Sequence, residues 1–410
     1  MSAGSTTVIA STPSRARIAV SAVFAVNGAL AAMWVAHVPV IATRTGADHT
    51  TLGLLLLILG GSAFAGMQLC GVAIDRWGSR GPVVIAAAAL CLVMIAPATV
   101  TSVWALALAL AMFGFVNGAL DVSMNAQAVV VEQRCPRPVM SSFHAFFSLG
   151  GMLGSGVAAL GLVLGVPVPA TVACVGLVCA VVIASTAAHL VRATRPVPAG
   201  ETDDRAVAGF PRGLRRRIAV MAAVAFALML AEGTAYDWSA LHLVQRFGTS
   251  DAIGAIAFAV FSATMVISRF LVDGVVHRAG PAAVVRGGAV LAAVGLGLVI
   301  LAPAPLIAII GWAVFGIGIA GGVPQLFTAA GNITDRPSGR VISTVVGTGY
   351  LGMLAGPASI GFVSGHTGLG TALWIAVAAL VFAASAAMVV RPRRTSAAPT
   401  TPRPHEAPSA

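Results

Sequence analysis

Twelve apolar runs follow one another along this chain, and each is long enough to cross a bilayer as a helix. They fall at 17–41, 51–73, 81–99, 103–130, 140–164, 168–190, 217–243, 252–273, 282–302, 305–331, 341–363 and 369–390. The hydrocarbon core offers the backbone no hydrogen-bond partners, so a spanning segment is a helix or part of a closed barrel. Long unbroken runs choose the helix. The expected fold class is therefore an all-α membrane protein with twelve transmembrane helices. Composition agrees: 58% of residues are hydrophobic, only 9% are charged, and mean hydropathy is +0.95. A soluble surface of this size needs far more charge.

The runs divide in two. Residues 191–216 form the longest internal break and carry Pro196, Pro198, Glu201, Asp203 and Asp204. We expect a disordered N-terminus at 1–16, a six-helix bundle at 17–190, a linker at 191–216, a second bundle at 217–390 and a disordered tail at 391–410. A shift of 202 residues brings the frame back: Phe113-Gly114 falls on Phe315-Gly316, Ser141 on Ser343, and Gly150 and Gly154 on Gly352 and Gly356. Six helices separate equivalent points, so the repeats run parallel and are related by a pseudo-two-fold axis along the membrane normal. A site is then expected between the halves, near the midplane.

The net charge is +11, and the chain has no lysine. The arginines sit in short loops between apolar runs, which follows the positive-inside pattern rather than nucleic-acid binding. With both termini and the linker in the cytoplasm, only Arg44 and Arg246 lie outside. We therefore expect a multi-pass protein of the cell (inner) membrane, with the lipid bilayer as its surroundings. A monomer is expected. The five cysteines show no CxxC and no pairing with histidine, so no metal is expected. Arg15 and Arg17 precede a run too long for a signal peptide core. Gly316-Ile-Gly318-Ile-Ala-Gly321 matches a dinucleotide fingerprint but lies inside a span, and no P-loop or hydrolase motif occurs. No cofactor and no enzymatic activity are expected.

After the second run comes Gly71-Val-Ala-Ile-Asp75-Arg76-Trp-Gly78-Ser-Arg80. Gly71 lets two helices approach, Gly78 permits a tight turn, and Asp75 can accept from helix N-termini or pair with an arginine. This G-x-x-x-D-R-x-G-x-R loop resembles the signature of the major facilitator superfamily, in which it acts as a cytoplasmic latch of the outward-facing state. The resemblance covers about 17–390. It implies two bundles rocking about a midplane site, driven by an ion gradient. The second half keeps a changed copy, Arg269, Asp273 and His277-Arg278-Ala-Gly280. Arg269 and Asp273 are i, i+4 and could pair on one helix face; the copy reads as a weaker version of the latch, with a plain interfacial salt bridge as the alternative.

Carboxylates inside spans are functional candidates by default. Asp121 shares a helix face with Asn117 and Asn125. Burial suits it to bind and release a proton. His144 opens the glycine-spaced run that follows and reads either as a core histidine or as its proton partner. Glu232 and Tyr236 lie on one face, while Asp237 turns away. Asn27 and Trp34 share a stripe of the first span. Gln325 follows Pro324, where a kink frees carbonyls toward a cavity. Asp121-Val-Ser-Met-Asn125 and His144-Ala-Phe146-Phe147-Ser148-Leu149-Gly150 are similar to two stretches of the fucose permease branch of the superfamily. That resemblance implies that Asp121 is the proton-linked acid and that His144 and Ser148 face the substrate. Phe147 replaces an asparagine, which makes the cavity less sugar-like. The expected function is proton-coupled transport of a small polar or sugar-like metabolite. A proton-antiport exporter and a non-transporting sensor are the alternatives.

Overall fold

The protein was analysed as a computed structural model that describes residues 13–192, 210–334 and 338–392. Most of the expected disordered ends and most of the linker lie outside the described residues. Twelve helical spans cross the molecule, and no strand occurs among the described residues. In the first half they are span 1 (Ser14–Thr45), span 2 (Thr51–Trp77), span 3 (Arg80–Thr99), span 4 (Val103–Glu132), span 5 (Met140–Val163) and span 6 (Val168–His189). In the second they are span 7 (Arg212–Phe247), span 8 (Ala252–Ala279), span 9 (Pro281–Leu301), span 10 (Pro305–Gly331), span 11 (Gly339–Thr367) and span 12 (Leu369–Val390).

Several helices outrun the hydropathy that predicts them. The first begins at Pro13 rather than beyond 16, and the seventh at Arg212, inside the expected linker. Hydropathy ends where the lipid core ends, whereas helical hydrogen bonding continues into the polar layer. Proline sets both starts, at Pro13 itself and at Pro211, the residue before the seventh helix. Three spans are interrupted. Span 3 breaks at Met94, just ahead of Pro97, and span 10 breaks at Ala320–Gly321, just ahead of Pro324. A proline removes a donor and crowds the carbonyl four residues earlier, which accounts for both positions. Span 12 breaks at Leu373 without a proline.

The sequence repeat returns as packing. Span 1 packs along span 5, and span 7 along span 11; span 2 packs on span 4, and span 8 on span 10. A Cβ placed on Gly150 would fall 1.9 Å from the Ala25 carbonyl oxygen, and one on Gly352 2.2 Å from that of Phe226. These glycines let backbones touch where lipid supplies no hydrophobic drive between helices. Turn chemistry repeats as well. Gly78 and Gly280 close equivalent helices at φ 75° and 83°, a region that side chains disfavour. The halves meet mainly where span 2 packs on span 11 and span 5 on span 8.

Arginines tie helix C-termini. Arg44 donates to the carbonyls of Pro97, Ala98 and Val100 at 3.0, 2.6 and 3.0 Å, and Arg80 donates to Ala187 at 3.1 and 3.2 Å. Such contacts satisfy carbonyls that the helix leaves open and oppose its negative end.

Candidate functional site

Two layers of polar contacts join the halves. The first lies at the face that holds the ends of the described chain, called here the terminal face. Helix N-termini leave four N–H groups unpaired, and a carboxylate meets that need with favourable charge. Asp75 of span 2 crosses to the second half and accepts from the Gly339 and Arg340 N–H groups at 2.6 and 3.2 Å, with the Arg340 guanidinium at 3.8 Å. Asp273 of span 8 crosses the other way. It accepts from the Ser141 and Ser142 N–H groups at 3.0 and 2.8 Å and from the Ser142 hydroxyl at 2.6 Å. Glu132, at the end of span 4, takes the two preceding N–H groups, Val139 and Met140, at 3.0 Å each. Four successive donors at the start of span 5 are thus met by carboxylates from both halves. Glu132 also accepts from Thr328 of span 10 at 2.6 Å. Gln133 to Asn332 at 2.6 Å and Gln68 to the Ser343 carbonyl at 3.0 Å complete the seal.

The second layer lies roughly 12–16 Å deeper, by the helix rise from the starts of spans 5 and 11 and the end of span 8. That is near the middle of a lipid core about 30 Å thick. Arg269 of span 8 donates to Glu232 of span 7 at 2.9 Å and to Ser148 of span 5, in the other half, at 2.9 Å. Both charged side chains are only 6% exposed, and the Arg269 Nε finds no protein partner. On the facing wall Asp121 is buried. Tyr350 of span 11 reaches it across the interface, yet its Oδ2 meets no donor among the described residues. Asn125 donates to the Asp121 carbonyl at 2.8 Å and holds the His144 Nε2 at 3.1 Å through its own oxygen. His144 sits between Phe24 of its own half and Phe327 of the other, with ring centroids 5.2 and 5.6 Å away. Tyr236 lies beside the Glu232–Arg269 pair and stays accessible. The chain has two tyrosines, and both stand at this cluster.

Charge counting defines what the cluster can do. It holds two carboxylates, Asp121 and Glu232, and one guanidinium, Arg269. Glu232 and Arg269 offset each other's charge, so Asp121 is the odd charge. One proton neutralises the layer.

Relatives place this architecture. The sequence profile of the Major Facilitator Superfamily matches residues 18–336. An uncharacterised MFS-type transporter of Yersinia pestis is 36% identical over 376 residues, covering 90% of this chain and 94% of that one. The chain belongs to the major facilitator superfamily. It is accordingly a transporter and not an enzyme. Fold neighbours include the fucose:proton symporter FucP of E. coli, at TM-score 0.75 and 13% identity over 92% of this chain and 98% of that one. The proton:xylose symporter XylE, at TM-score 0.70 and 14% identity over 91% and 95%, is another.

The superfamily signature loop divides its labour in this member. Asp75 alone reaches the other half. Gly71 lets span 11 approach, Gly78 makes the turn, Arg80 holds the end of span 6, and Arg76 is exposed. The Arg269–Asp273 pair that their spacing allows is not formed. The two point to different layers, Arg269 to Glu232 of span 7 in its own half and Asp273 across the interface to the N–H groups that open span 5.

Other candidates also separate. Asp121, Asn125, His144, Ser148, Glu232 and Tyr236 converge on the deeper layer. Asn117 lies one turn away on span 4, half-buried, with its Oδ1 unpaired. Asn27 is buried against the Met124 sulfur at 3.5 Å. Trp34 packs inside the first bundle, around a small void with Met94, Phe113 and Val172, so it is core rather than cavity wall. The Phe147 backbone receives Gly28 of span 1, while its ring is half-buried. Gln325 donates to the Ser141 hydroxyl at 3.3 Å and so belongs to the terminal-face seal. Tyr350 and Glu132 escaped the sequence reading. Tyr350 is an aromatic in a glycine-rich run, where only its rarity marks it. Glu132 stands at the end of an apolar run, where a charge is ordinary.

Proposed function

We propose that the chain moves a small polar or sugar-like metabolite by alternating access, coupled to protons through Asp121. The observation that carries this reading is the unbalanced deeper layer: a buried carboxylate with one oxygen unmet among the described residues, beside an ion pair whose charges already offset each other. A buried lone charge is costly, and a proton on Asp121 relieves that cost until the geometry changes. Rocking of the halves alters its surroundings, since Tyr350 approaches it from the other half. It also alters Arg269, whose Ser148 contact crosses the same interface. A proton taken up in one state and released in the other links the gradient to that movement.

The arginine distribution supports a terminal face in the cytoplasm of the inner membrane, and on that reading the sealed arrangement is the outward-facing state. Opening inward requires Asp75, Asp273 and Glu132 to leave their partners. The hydroxyls of Tyr236, Tyr350 and Ser148, with His144 and Asn117, offer hydrogen bonds suited to a polyhydroxylated or similarly polar molecule. The two sugar:proton symporters among the fold neighbours are consistent with that class.

The test uses proteoliposomes and a substrate found by thermal shift across a metabolite panel. Asp121→Asn should abolish gradient-driven accumulation while leaving exchange between preloaded and external substrate. Loss of both activities in a folded variant, or retention of both, overturns the coupling role.

A further inference from the structure

Spans 11 and 12 meet at their hairpin but make almost no contact along the rest of their length. Their counterparts in the first half, spans 5 and 6, do pack on each other. The gap leaves a groove of about 610 Å³, floored by span 7. Ala219, Ala223 and Ala227 form its floor, with Thr348 of span 11 and Phe382 of span 12 as walls. The alanines are too short to fill the space between the spans. Thr348 brings the only side-chain hydroxyl to the lining, and it lies part-buried on span 11, so a water-soluble ligand finds little to bind.

The floor continues into charge. Ala219, Ala223, Phe226 and Leu230 follow one helical stripe, and the same stripe carries Arg212 and Arg216 one to two turns nearer the terminal face. Both are exposed, as is Arg391 at the end of span 12. Arg217, on the other side of the helix, is engaged with the Val389 carbonyl at 3.1 Å and with that of Arg391, which fixes the two spans to each other at this level. One or two turns correspond to about 5–10 Å, the offset between acyl chain and headgroup.

We propose that this groove binds a phospholipid, one acyl chain lying on the alanine floor and an anionic headgroup held by Arg212 and Arg216. The apolar trough opens sideways to hydrocarbon, and its arginine end complements a phosphate-bearing anion and not a zwitterion of zero net charge. A lipid seated there also braces span 11, whose terminal end Asp75 holds.

Native mass spectrometry of the full chain in detergent tests the proposal, with phosphatidylglycerol and phosphatidylcholine of identical acyl chains as probes. The first phosphatidylglycerol should bind on the order of tenfold more tightly than phosphatidylcholine, as two arginines at a membrane surface imply. Arg212→Gln with Arg216→Gln should bring the two lipids level. Ala223→Phe, which fills the floor, should weaken the first adduct of both. The double variant replaces exposed residues, so it keeps the test alive if Ala223→Phe fails to fold. Equal binding of both lipids to the parent chain overturns the proposal. So does a preference that survives the double variant, or a first adduct indifferent to Ala223→Phe in a folded protein.

Discussion

Spans 2 and 8 occupy equivalent places, each facing a glycine-spaced span of the other half. Position for position, Met67, Gly71 and Asp75 correspond to Arg269, Asp273 and His277. On span 2 the deep positions are apolar or bare. Met67 is fully buried, and the missing side chain of Gly71 lets the Ser343 hydroxyl and the Gly339 carbonyl come within 2.5 and 2.8 Å of where a Cβ would stand. Its one carboxylate sits near the surface, with the Asp75 side chain 25% exposed. On span 8 the charges have moved inward, and Arg269 and Asp273 are 5% and 7% exposed. One joint closes by backbone packing with a charge at its rim. The other closes by charge throughout. Buried charges that lose their partners cost more than exposed ones, so the two joints should differ in strength although they share a frame.

Five substitutions probe that difference. The largest effect is expected from Arg269→Ala, which leaves Glu232 buried without its partner and should destabilise the fold by roughly 3–5 kcal/mol. Thermal melting reads it, and Glu232→Gln in the same chain should recover part of the loss. Asp273→Ala removes three hydrogen bonds to a charged acceptor and uncaps span 5. It should cost the sealed state about 2–4 kcal/mol, seen as faster labelling of a cysteine placed at Ser148 from the terminal side. Asp75→Asn should cost only about 1 kcal/mol by the same assay, and less in high salt, because its ion pair is partly exposed. A loss at Asp75 equal to that at Asp273 would break the comparison. Gly78→Ala and Gly280→Ala put a side chain where positive φ meets extended ψ, a region essentially reserved for glycine, and should each cost about 1–3 kcal/mol in thermal melts. These two should match, since the same turn closes both helices.

What the residues disclosed follows the same division. Twelve spans, their repeat and the glycine contacts were legible because lipid forces long apolar runs and close helix approach leaves a four-residue spacing. Asp121, Glu232 and His144 were legible because a polar group in such a run is conspicuous. The partners were not. Asp273 looked like the partner of Arg269 from their spacing on one helix, yet its ligands are backbone N–H groups 131 and 132 residues away. A backbone donor has no signature in side-chain identity. Glu132 was hidden for the same reason, since its three acceptor contacts are two backbone groups and one threonine across the interface. Trp34 misled because a shared stripe with Asn27 does not say which neighbour the stripe faces.

The central claim is that the molecule is a two-state rocker whose terminal face is held shut chiefly from span 8. Pulsed electron spin resonance tests it most directly. Spin labels would replace Arg137 and Arg278, which are both exposed and lie in opposite halves beside the seal, in a chain whose five native cysteines are changed to alanine. The parent should give one short distance. Asp273→Asn should add a longer, open population clearly greater than the one produced by Asp75→Asn. Equal populations, a larger one from Asp75→Asn, or no second distance in either variant would contradict the account.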